Sequence, residues 1–271
     1  MLAIDNSEQV DSGSPPLAGL HALVTGAGSG IGAAIARELA GLGATLTLLG
    51  RRAAPLEATR EGLSGEAHRI AVADVTDFAD IHAAFEAAED ARGVIAILVN
   101  NAGAATSAPL GRTDPQTWND MLAVNLTGTY NCTHAALAGM QREQWGRIVN
   151  VASTAGLVGY AYVAAYCAAK HGVIGFTRAL ALEVAKEGIT VNAVCPGYTD
   201  TPLLDGAVDK IVASTGRSPD EARTALARSN PQGRLVLPEE IARTVGWLCL
   251  RGSGAIHGQA IAVAGGEVMC G

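Results

Sequence analysis

The chain has 271 residues, of which 49% are hydrophobic and 17% charged, so it can bury one large core and is not a disordered chain. Nineteen Lys and Arg against 26 Asp and Glu give a net charge of −7 without a basic run, so nucleic acid is not an expected partner. No apolar run reaches the roughly 18 residues that a membrane span requires, so no membrane partner is expected.

The cysteines are scattered, odd in number and without the paired spacing of a disulfide framework or a zinc site. They are Cys132, Cys167, Cys195, Cys249 and Cys270. The six histidines do not cluster either. Reduced thiols, together with first residues that lack a signal pattern, predict a cytoplasmic protein without a metal site.

Strand and helix patterns alternate along most of the chain. Residues 1–16 are polar and end in Ser-Gly-Ser-Pro-Pro, which is typical of a flexible lead-in. We expect helices at Ile31–Leu42 and Asp77–Ala91, among others, and strands at His21–Thr25, Thr45–Leu49, Arg69–Ala73, Ile95–Asn100, Arg147–Ala152, Thr190–Val194 and Gln259–Ala264. Continuous apolar strands separated by helices predict one α/β domain over residues 17–271. It would be a Rossmann-like, doubly wound parallel sheet of about seven strands with helices on both faces.

A glycine-rich turn joins the first predicted strand to the first helix. Glycines allow a tight turn and let the backbone approach a pyrophosphate, which then lies on the helix N-terminus. The order of glycines differs from the usual G-x-G-x-x-G, but the place of the turn indicates a dinucleotide site. The predicted cofactor-binding residues of this turn are Gly26, Ser29, Gly30, Ile31 and Gly32.

The second strand is followed by Arg51 and Arg52, and no acidic residue stands at its end. NAD-binding proteins often place an acid here to hold the ribose 2′-hydroxyl, whereas an arginine accommodates a 2′-phosphate. The pattern therefore favours NADP(H) as the cofactor, with NAD(H) as the alternative. The competing interpretation is that both arginines are simply solvated at a helix start.

The third and fourth strands also end in residues suited to a cofactor. After the third strand come Asp74 and Val75, where a carboxylate could reach the adenine edge. After the fourth come Asn101, Ala102 and Gly103, whose small side chains would let the backbone lie along the cofactor. Each has an ordinary alternative, since Asp74 could start the next helix and the other three could form a simple turn.

A serine, a tyrosine and a lysine follow the fifth strand. Ser153 stands at its carboxyl end, the edge where ligands bind in open α/β sheets. Tyr166 and Lys170 are four apart in an Ala-rich run, so they share one helix face. We expect the ammonium to lower the pKa of the phenol from its reference of about 10. The three groups suit proton transfer at a substrate oxygen, although a Tyr-x-x-x-Lys pair alone is more often a solvated face.

Taken together and in order, these motifs resemble the short-chain dehydrogenase/reductase family from about residue 19 to the C-terminus. The residues that carry the resemblance are Thr25–Gly32, Asp74-Val75, Asn100–Gly103, Asn125, Ser153, Tyr166-x-x-x-Lys170 and Asn192–Gly197. The resemblance implies a nucleotide-binding fold with a seven-stranded parallel sheet. It also implies a nicotinamide cofactor and, in most members, a homotetramer.

The resemblance implies a role for each matching residue. Tyr166 would be the acid/base, Lys170 would lower its pKa and hold the nicotinamide ribose, and Ser153 would bind the substrate oxygen. Asn125 would hold a water in a proton relay that starts at Lys170, or it would be a structural amide that kinks its helix. The residues expected to grip the nicotinamide end are Pro196, Gly197, Thr199 and Thr201. The reaction implied is hydride transfer that interconverts a secondary alcohol and a ketone.

Two subgroups of the family share further motifs with the chain, the bacterial 3-hydroxybutyrate dehydrogenases and the polyketide and acyl ketoreductases. The first would hold a free acid with a glutamine, a histidine and a lysine, and those positions here are Ala105, Ala155 and Val163. A carboxylate facing three apolar side chains would be unpaired and costly to bury. We therefore expect a 3-hydroxyacyl or 3-oxoacyl thioester, or a bulky cyclic or aryl ketone.

The segment 202–228 is expected to cover the substrate as a lid. Its apolar stripe would be Leu203, Leu204, Ala207, Val208, Ile211 and Val212. A capping box from Ser218 to Glu221 predicts a second helix there. An alternative to the enzyme is a non-catalytic nucleotide-binding sensor or scaffold. Its usual mark is the loss of the tyrosine, lysine or serine, and all three are present.

Overall fold

Seven strands lie side by side in one sheet, and every neighbouring pair runs parallel. The structure is a computed structural model, and it describes residues 14–269. In chain order the strands are β1 (His21–Thr25), β2 (Thr45–Gly50), β3 (Arg69–Val72), β4 (Ile95–Asn100), β5 (Gly146–Val151), β6 (Ile189–Pro196) and β7 (Ala260–Val263). Their order across the sheet is β3-β2-β1-β4-β5-β6-β7, which confirms the predicted doubly wound α/β fold. Residues 1–13 of the expected lead-in and Cys270 lie outside the described residues.

The strand bounds follow from continuous apolar runs, because a parallel sheet covered on both faces needs no polar alternation. β1 and β4 begin and end at the predicted residues, and β1 and β5 are buried along their whole length. β6 continues to Pro196, two residues past its predicted end, since Cys195 and Pro196 stay in register with Ala262 and Val263 of β7.

Helices fill the connections between strands. In residues 14–269 they are α1 (Gly30–Gly41), α2 (Ala53–Glu61), α3 (Phe78–Arg92), α4 (Pro115–Leu122), α5 (Gly128–Glu143), α6 (Ala164–Glu183), α7 (Pro202–Thr215), α8 (Pro219–Ala227) and α9 (Pro238–Cys249). On one face α1 and α9 bury Leu39 and Val245 in a common apolar cluster. On the other face Phe85 of α3 and Leu180 of α6 join a second cluster. The sheet is thus the middle of three layers.

The two helices whose bounds were predicted, α1 and α3, begin and end within one residue of the prediction. The N-cap of α3 is Asp77, whose carboxylate accepts hydrogen bonds from the backbone N–H groups of Ala79 and Asp80. The alternative that Asp74 starts this helix is therefore wrong. Asp74 instead lies in the turn between β3 and α3.

The place where a ligand can bind is set by β1, which pairs with β2 on one side and β4 on the other. In open α/β sheets such a reversal of strand order opens a crevice at the carboxyl ends. Thr25 at the end of β1 holds the loop after β4, because its Oγ1 accepts from the N–H groups of Asn101 (3.0 Å) and Ala102 (2.9 Å). Asn101 Nδ2 also donates to the Thr25 carbonyl at 2.9 Å.

Candidate active site

The turn between β1 and α1 favours glycine at three positions, because of close packing, a positive φ angle or both. A Cβ on Gly26 would lie 2.9 Å from Ala102 Cα, and one on Gly32 would lie 2.3 Å from the Gly26 carbonyl oxygen. Gly26 and Gly30 also have positive φ angles of 64° and 52°. Ser29 caps α1 without a side-chain hydrogen bond, so it does not satisfy the first N–H groups of the helix. The turn can therefore receive a phosphate group on the N-terminus of α1, next to Ser29 and Ile31.

Arg51 and Arg52 follow β2 at the rim of the crevice, and both are exposed. Within residues 14–269 neither forms a salt bridge, so both charges are available to a phosphate. Asp74, in the neighbouring turn, accepts hydrogen bonds from the N–H and the hydroxyl of Thr76 at 2.9 and 2.8 Å. The backbone hydrogen bond from Thr76 is the main reason why the pKa of Asp74 is lowered, so this carboxylate stays ionised. Val75 is buried, and its carbonyl oxygen accepts from the Asn131 side chain, which anchors the turn.

Ser153, Tyr166 and Lys170 meet where α6 packs against the end of β5. Ser153 caps the short 3-10 turn Thr154–Gly156, and its Oγ accepts from the Ala155 N–H at 3.1 Å. A Cβ on Gly156 would lie 2.7 Å from the Lys170 carbonyl oxygen, so the turn rests directly on α6. The Lys170 ammonium lies 5.7 Å from the centre of the Tyr166 ring, which confirms that both share one helix face.

The pKa of Tyr166 was predicted to be lowered by the ammonium of Lys170, and in this structure it is raised instead. Burial raises the pKa of Tyr166 to about 12, and the hydrogen bond with the Ser153 hydroxyl acts in the opposite direction. Lys170 is only 5% exposed, and its Nζ donates to the Val151 carbonyl at 2.8 Å. Burial lowers its own pKa to about 8. The ammonium thus points to the end of β5. Desolvation is the largest cause of the pKa shifts of both Tyr166 and Lys170.

Asn125 lies inside a π-helical turn, Ala123–Thr127, between α4 and α5. Its Nδ2 donates to the carbonyls of Ala104 (2.9 Å) and Met121 (3.0 Å), which ties the loop after β4 to the helix. Its Oδ1 is buried and has no hydrogen-bond partner among the described residues. A Cβ on Gly103 would lie 2.7 Å from this oxygen and 3.7 Å from Lys170 Nζ. The amide nitrogen of Asn125 therefore has a structural role. Its oxygen can accept a hydrogen bond from a group on the side of Lys170.

The loop after β6 closes the crevice from the other side. The Gly197 N–H donates to the Val263 carbonyl at 3.2 Å, which continues the pairing of Pro196 with β7. Thr199 is buried, and its hydroxyl donates to the Gly197 carbonyl at 2.9 Å. The Thr201 side chain lies against Gly30, where an added Cβ would come within 3.1 Å of it. The predicted residues of the nicotinamide end and of the glycine turn thus border one crevice.

The segment after this loop forms α7 and α8. The predicted capping box is confirmed, since Ser218 Oγ accepts from the Glu221 N–H and Glu221 Oε2 accepts from the Ser218 N–H. Leu204 and Val208 are buried together with Ala222 of α8. Leu203, predicted in the same apolar stripe, is 56% exposed and does not join this buried cluster.

The three positions at which a free acid would be held carry no polar side chain, as the sequence shows. Ala105 is exposed in the loop after β4, Ala155 is buried in the turn after Ser153, and Val163 is partly buried just before α6. No side chain at these positions can pair with a substrate carboxylate.

Sequence reasoning missed two features of the site. The first is the role of Thr25: the residue belongs to the glycine-turn motif, but nothing predicted that its hydroxyl would organise the loop after β4. The second is Glu267, which carried no signal in the sequence: its Oε1 accepts a 2.8 Å hydrogen bond from the hydroxyl of Tyr160, a residue that is 107 positions away in the chain.

None of the helices in the described part of the chain is both long enough and apolar enough to span a membrane. Residues 14–269 contain no group of three or more potential metal ligands. The four cysteines in this range are buried thiols.

Comparisons with known proteins agree with this geometry. Residues 20–211 match the short chain dehydrogenase family. The chain is 38% identical over 255 residues to the D-beta-hydroxybutyrate dehydrogenase of Cupriavidus necator, covering 93% of this chain and 99% of that protein. It is 40% identical to the 3-oxoacyl-(acyl-carrier-protein) reductase of Pseudomonas aeruginosa, with the same coverage. A crystal structure of an actinorhodin polyketide ketoreductase variant with NADPH superposes with a TM-score of 0.88 at 39% identity, over 92% of this chain and 97% of that one.

Proposed function

The chain belongs to the short-chain dehydrogenase family, and from this premise we propose that it reduces a ketone to a secondary alcohol, and the reverse, with NADP(H). Membership makes it an oxidoreductase that uses a nicotinamide cofactor. One observation supports this proposal most directly: Ser153, Tyr166 and Lys170 lie close together. They lie at the sheet edge where the tightly packed glycine turn borders the crevice. The alternative of a non-catalytic sensor has no support, since all three residues are present and close together.

The residues present fit a nicotinamide dinucleotide. The glycine turn and the N-terminus of α1 would receive its pyrophosphate, and Asp74 would border the adenine. Arg51 and Arg52 carry free positive charge where a 2′-phosphate would lie, which favours NADP(H) over NAD(H). The relative solved with NADPH supports this choice. When bound, the cofactor supplies or accepts the hydride.

The protein's own groups would handle the proton. With a pKa of about 12, Tyr166 is protonated at neutral pH, so it can donate a proton to the oxygen of a ketone. The Ser153 hydroxyl would hold that oxygen and stabilise the charge that develops on it. Lys170, with a pKa of about 8, changes its charge near physiological pH and would support the proton donor. Asn125 Oδ1 would accept a hydrogen bond from a relay water.

The proposed substrate is a 3-oxoacyl thioester, or a bulky cyclic or aryl ketone, and the corresponding alcohol. The apolar residues Ala105, Ala155 and Val163 argue against a small free acid. One relative named above acts, by its name, on a carrier-bound 3-oxoacyl group, whereas another acts on a free hydroxy acid. The segment 202–228 is the proposed lid, because α7 and α8 follow directly after the loop that borders the crevice.

A panel assay tests the proposed function. Purified protein would be supplied with NADPH or NADH and with 3-oxoacyl thioesters, cyclic ketones, aryl ketones and 3-oxobutyrate. We expect NADPH oxidation with the thioesters or bulky ketones and at least about tenfold lower kcat/KM with 3-oxobutyrate. No turnover of any ketone, with NADPH still bound, would refute it.

We also propose that the protein is cytoplasmic and forms a homotetramer. Light scattering would test the homotetramer through the mass of the assembly.

A further inference from the structure

Glu267 carries a negative charge that the proposed reaction does not use. It follows β7, and its Oε1 accepts the hydrogen bond from Tyr160. Tyr160 also lies 2.9 Å from the hydroxyl of buried Thr154. Since a phenol has one proton, Thr154 donates to Tyr160 and Tyr160 donates to Glu267. This chain of hydrogen bonds fixes the carboxylate relative to the turn that Ser153 caps.

The carboxylate lies near two parts of the site, since Tyr160 links it to Thr154, the residue after Ser153, and Gly197 of the loop after β6 lies against it. The ring of Tyr160 meets the ring of Tyr198 edge-on, with centres 6.4 Å apart. Burial, assisted by the charge of Glu267, raises the pKa of Tyr198. Burial is also the main cause of the raised pKa of Tyr166, and Tyr198 adds to it. Tyr198 also packs against the buried cluster of Leu204 and its neighbours, so Tyr160 and the carboxylate that it holds lie next to the segment proposed as the lid.

Among the described residues, no cation pairs with the charge of Glu267, since no lysine, arginine or histidine forms a salt bridge with it. Its Oε2 is buried without a hydrogen-bond partner in the same range, and a Cβ on Gly197 would lie 2.8 Å from it. A partly desolvated charge acts over several ångströms, because little water screens it.

We propose that Glu267, held in place by Tyr160, is a specificity-determining residue that repels anionic substrates from the reacting groups. This inference rests on the proposed function and deepens it. A free 3-oxo acid would bring a second carboxylate toward a fixed one, and like charges in a poorly solvated place repel strongly. A thioester, an ester or a plain ketone carries no such charge. The apolar positions fail to attract an acid, whereas Glu267 actively excludes it.

The competing explanation is purely structural: Glu267 would only tie the segment after β7 to Tyr160. The two explanations separate in Glu267→Gln, which keeps the size of the side chain and an acceptor for Tyr160 but loses the charge. If Glu267 is only a structural contact, kcat/KM should change by the same factor for acids and uncharged substrates. If it repels anions, kcat/KM should rise for acids alone.

The experiment compares 3-oxobutyrate with its ethyl ester, because both present the same ketone and only one is charged. With NADPH saturating, we expect the ester-to-acid ratio of kcat/KM to fall at least about tenfold in Glu267→Gln, through a lower KM for the acid. Tyr160→Phe is the matched control: it removes the hydrogen bond that positions the carboxylate but keeps the charge, so its ratio should fall clearly less than that of Glu267→Gln. Raising the ionic strength should narrow the wild-type ratio and leave that of Glu267→Gln unchanged.

An unchanged ratio in Glu267→Gln, or an equal change for both substrates, would overturn the inference. If the wild-type protein reduced neither compound, the dissociation constants of the same pair, measured by calorimetry on the NADP-loaded protein, would decide. Tighter binding of the acid to Glu267→Gln would support repulsion, and equal binding would refute it. Turnover of other ketones tests the proposed function separately, so the two can fail independently.

Discussion

The ammonium of Lys170 donates a 2.8 Å hydrogen bond to the carbonyl of Val151, the last residue of β5. The contact fixes α6 against the strand end from which Ser153 follows two residues later. It also keeps a cation 95% buried beside the reacting phenol. The pKa of this lysine is therefore the property of the site most open to measurement.

The rate of ketone reduction should fall as pH rises through about 8. Burial lowers the pKa of Lys170 to about 8, so the ammonium is present below that pH and lost above it. Tyr166 stays protonated through this range, because its pKa is raised to about 12. The kcat/KM for reduction should decline with an apparent pKa of about 8 in the wild type.

Lys170→Met should lower kcat/KM for ketone reduction. It should also remove the decline near pH 8, because methionine has no titrating group. Lys170→Arg is the matched control: it keeps a permanent positive charge, so any activity that remains should not decline near pH 8. A decline with the same apparent pKa in Lys170→Met would assign it to another group.

Arg51→Ala should weaken the binding of NADP(H) more than that of NAD(H). A charge-assisted hydrogen bond to a phosphate contributes about 1.5–3 kcal/mol, so the dissociation constant of NADP(H) should rise at least about tenfold. Arg60→Ala is the control, because Arg60 is another exposed arginine, on α2, and already pairs with Glu57. Titration of both nucleotides by fluorescence would measure this. An unchanged constant for NADP(H) in Arg51→Ala would remove Arg51 from the site.

Gly103→Ala should damage both stability and activity, because the new methyl group would come within 2.7 Å of Asn125 Oδ1. Overpacking of this kind costs about 1–3 kcal/mol of unfolding free energy. The methyl group would occupy the space next to Asn125 Oδ1 in which the relay water is proposed to lie. Gly111→Ala is the control, since nothing lies within 4 Å of its added methyl group, and its stability should change by less than about 0.5 kcal/mol. Equal stability and equal rates for the two variants would show that the space next to Asn125 is not used.

Much of the fold could be read from the sequence, because its strands are largely apolar runs with clear ends: β1 is followed by Gly26, and β4 ends at Asn100. β1 and β4 were predicted to the residue for this reason. The strand order then brings Thr25 and Asn101 together without any further signal. Local patterns also predicted the capping box at Ser218, since it depends on four consecutive residues.

What the sequence could not predict depends on packing between distant segments. The shared helix face of Tyr166 and Lys170 was predictable, but the direction of their pKa shifts depends on how deeply both are buried. The Tyr160–Glu267 contact arises only because β7 lies at the end of the sheet next to β6. The exposure of Leu203 likewise follows from which side of α7 meets α8, and an apolar stripe alone does not fix that.

The most direct test of the account is the turnover of Tyr166→Phe. The variant keeps the ring and loses the proton that the site is built to transfer. Loss of a general acid lowers the rate about 10²–10⁴-fold, so kcat for reduction should fall by that factor while NADPH still binds close to the wild-type affinity. A variant that reduced the ketone at nearly the wild-type rate would contradict the assignment of Tyr166 and the mechanism that depends on it.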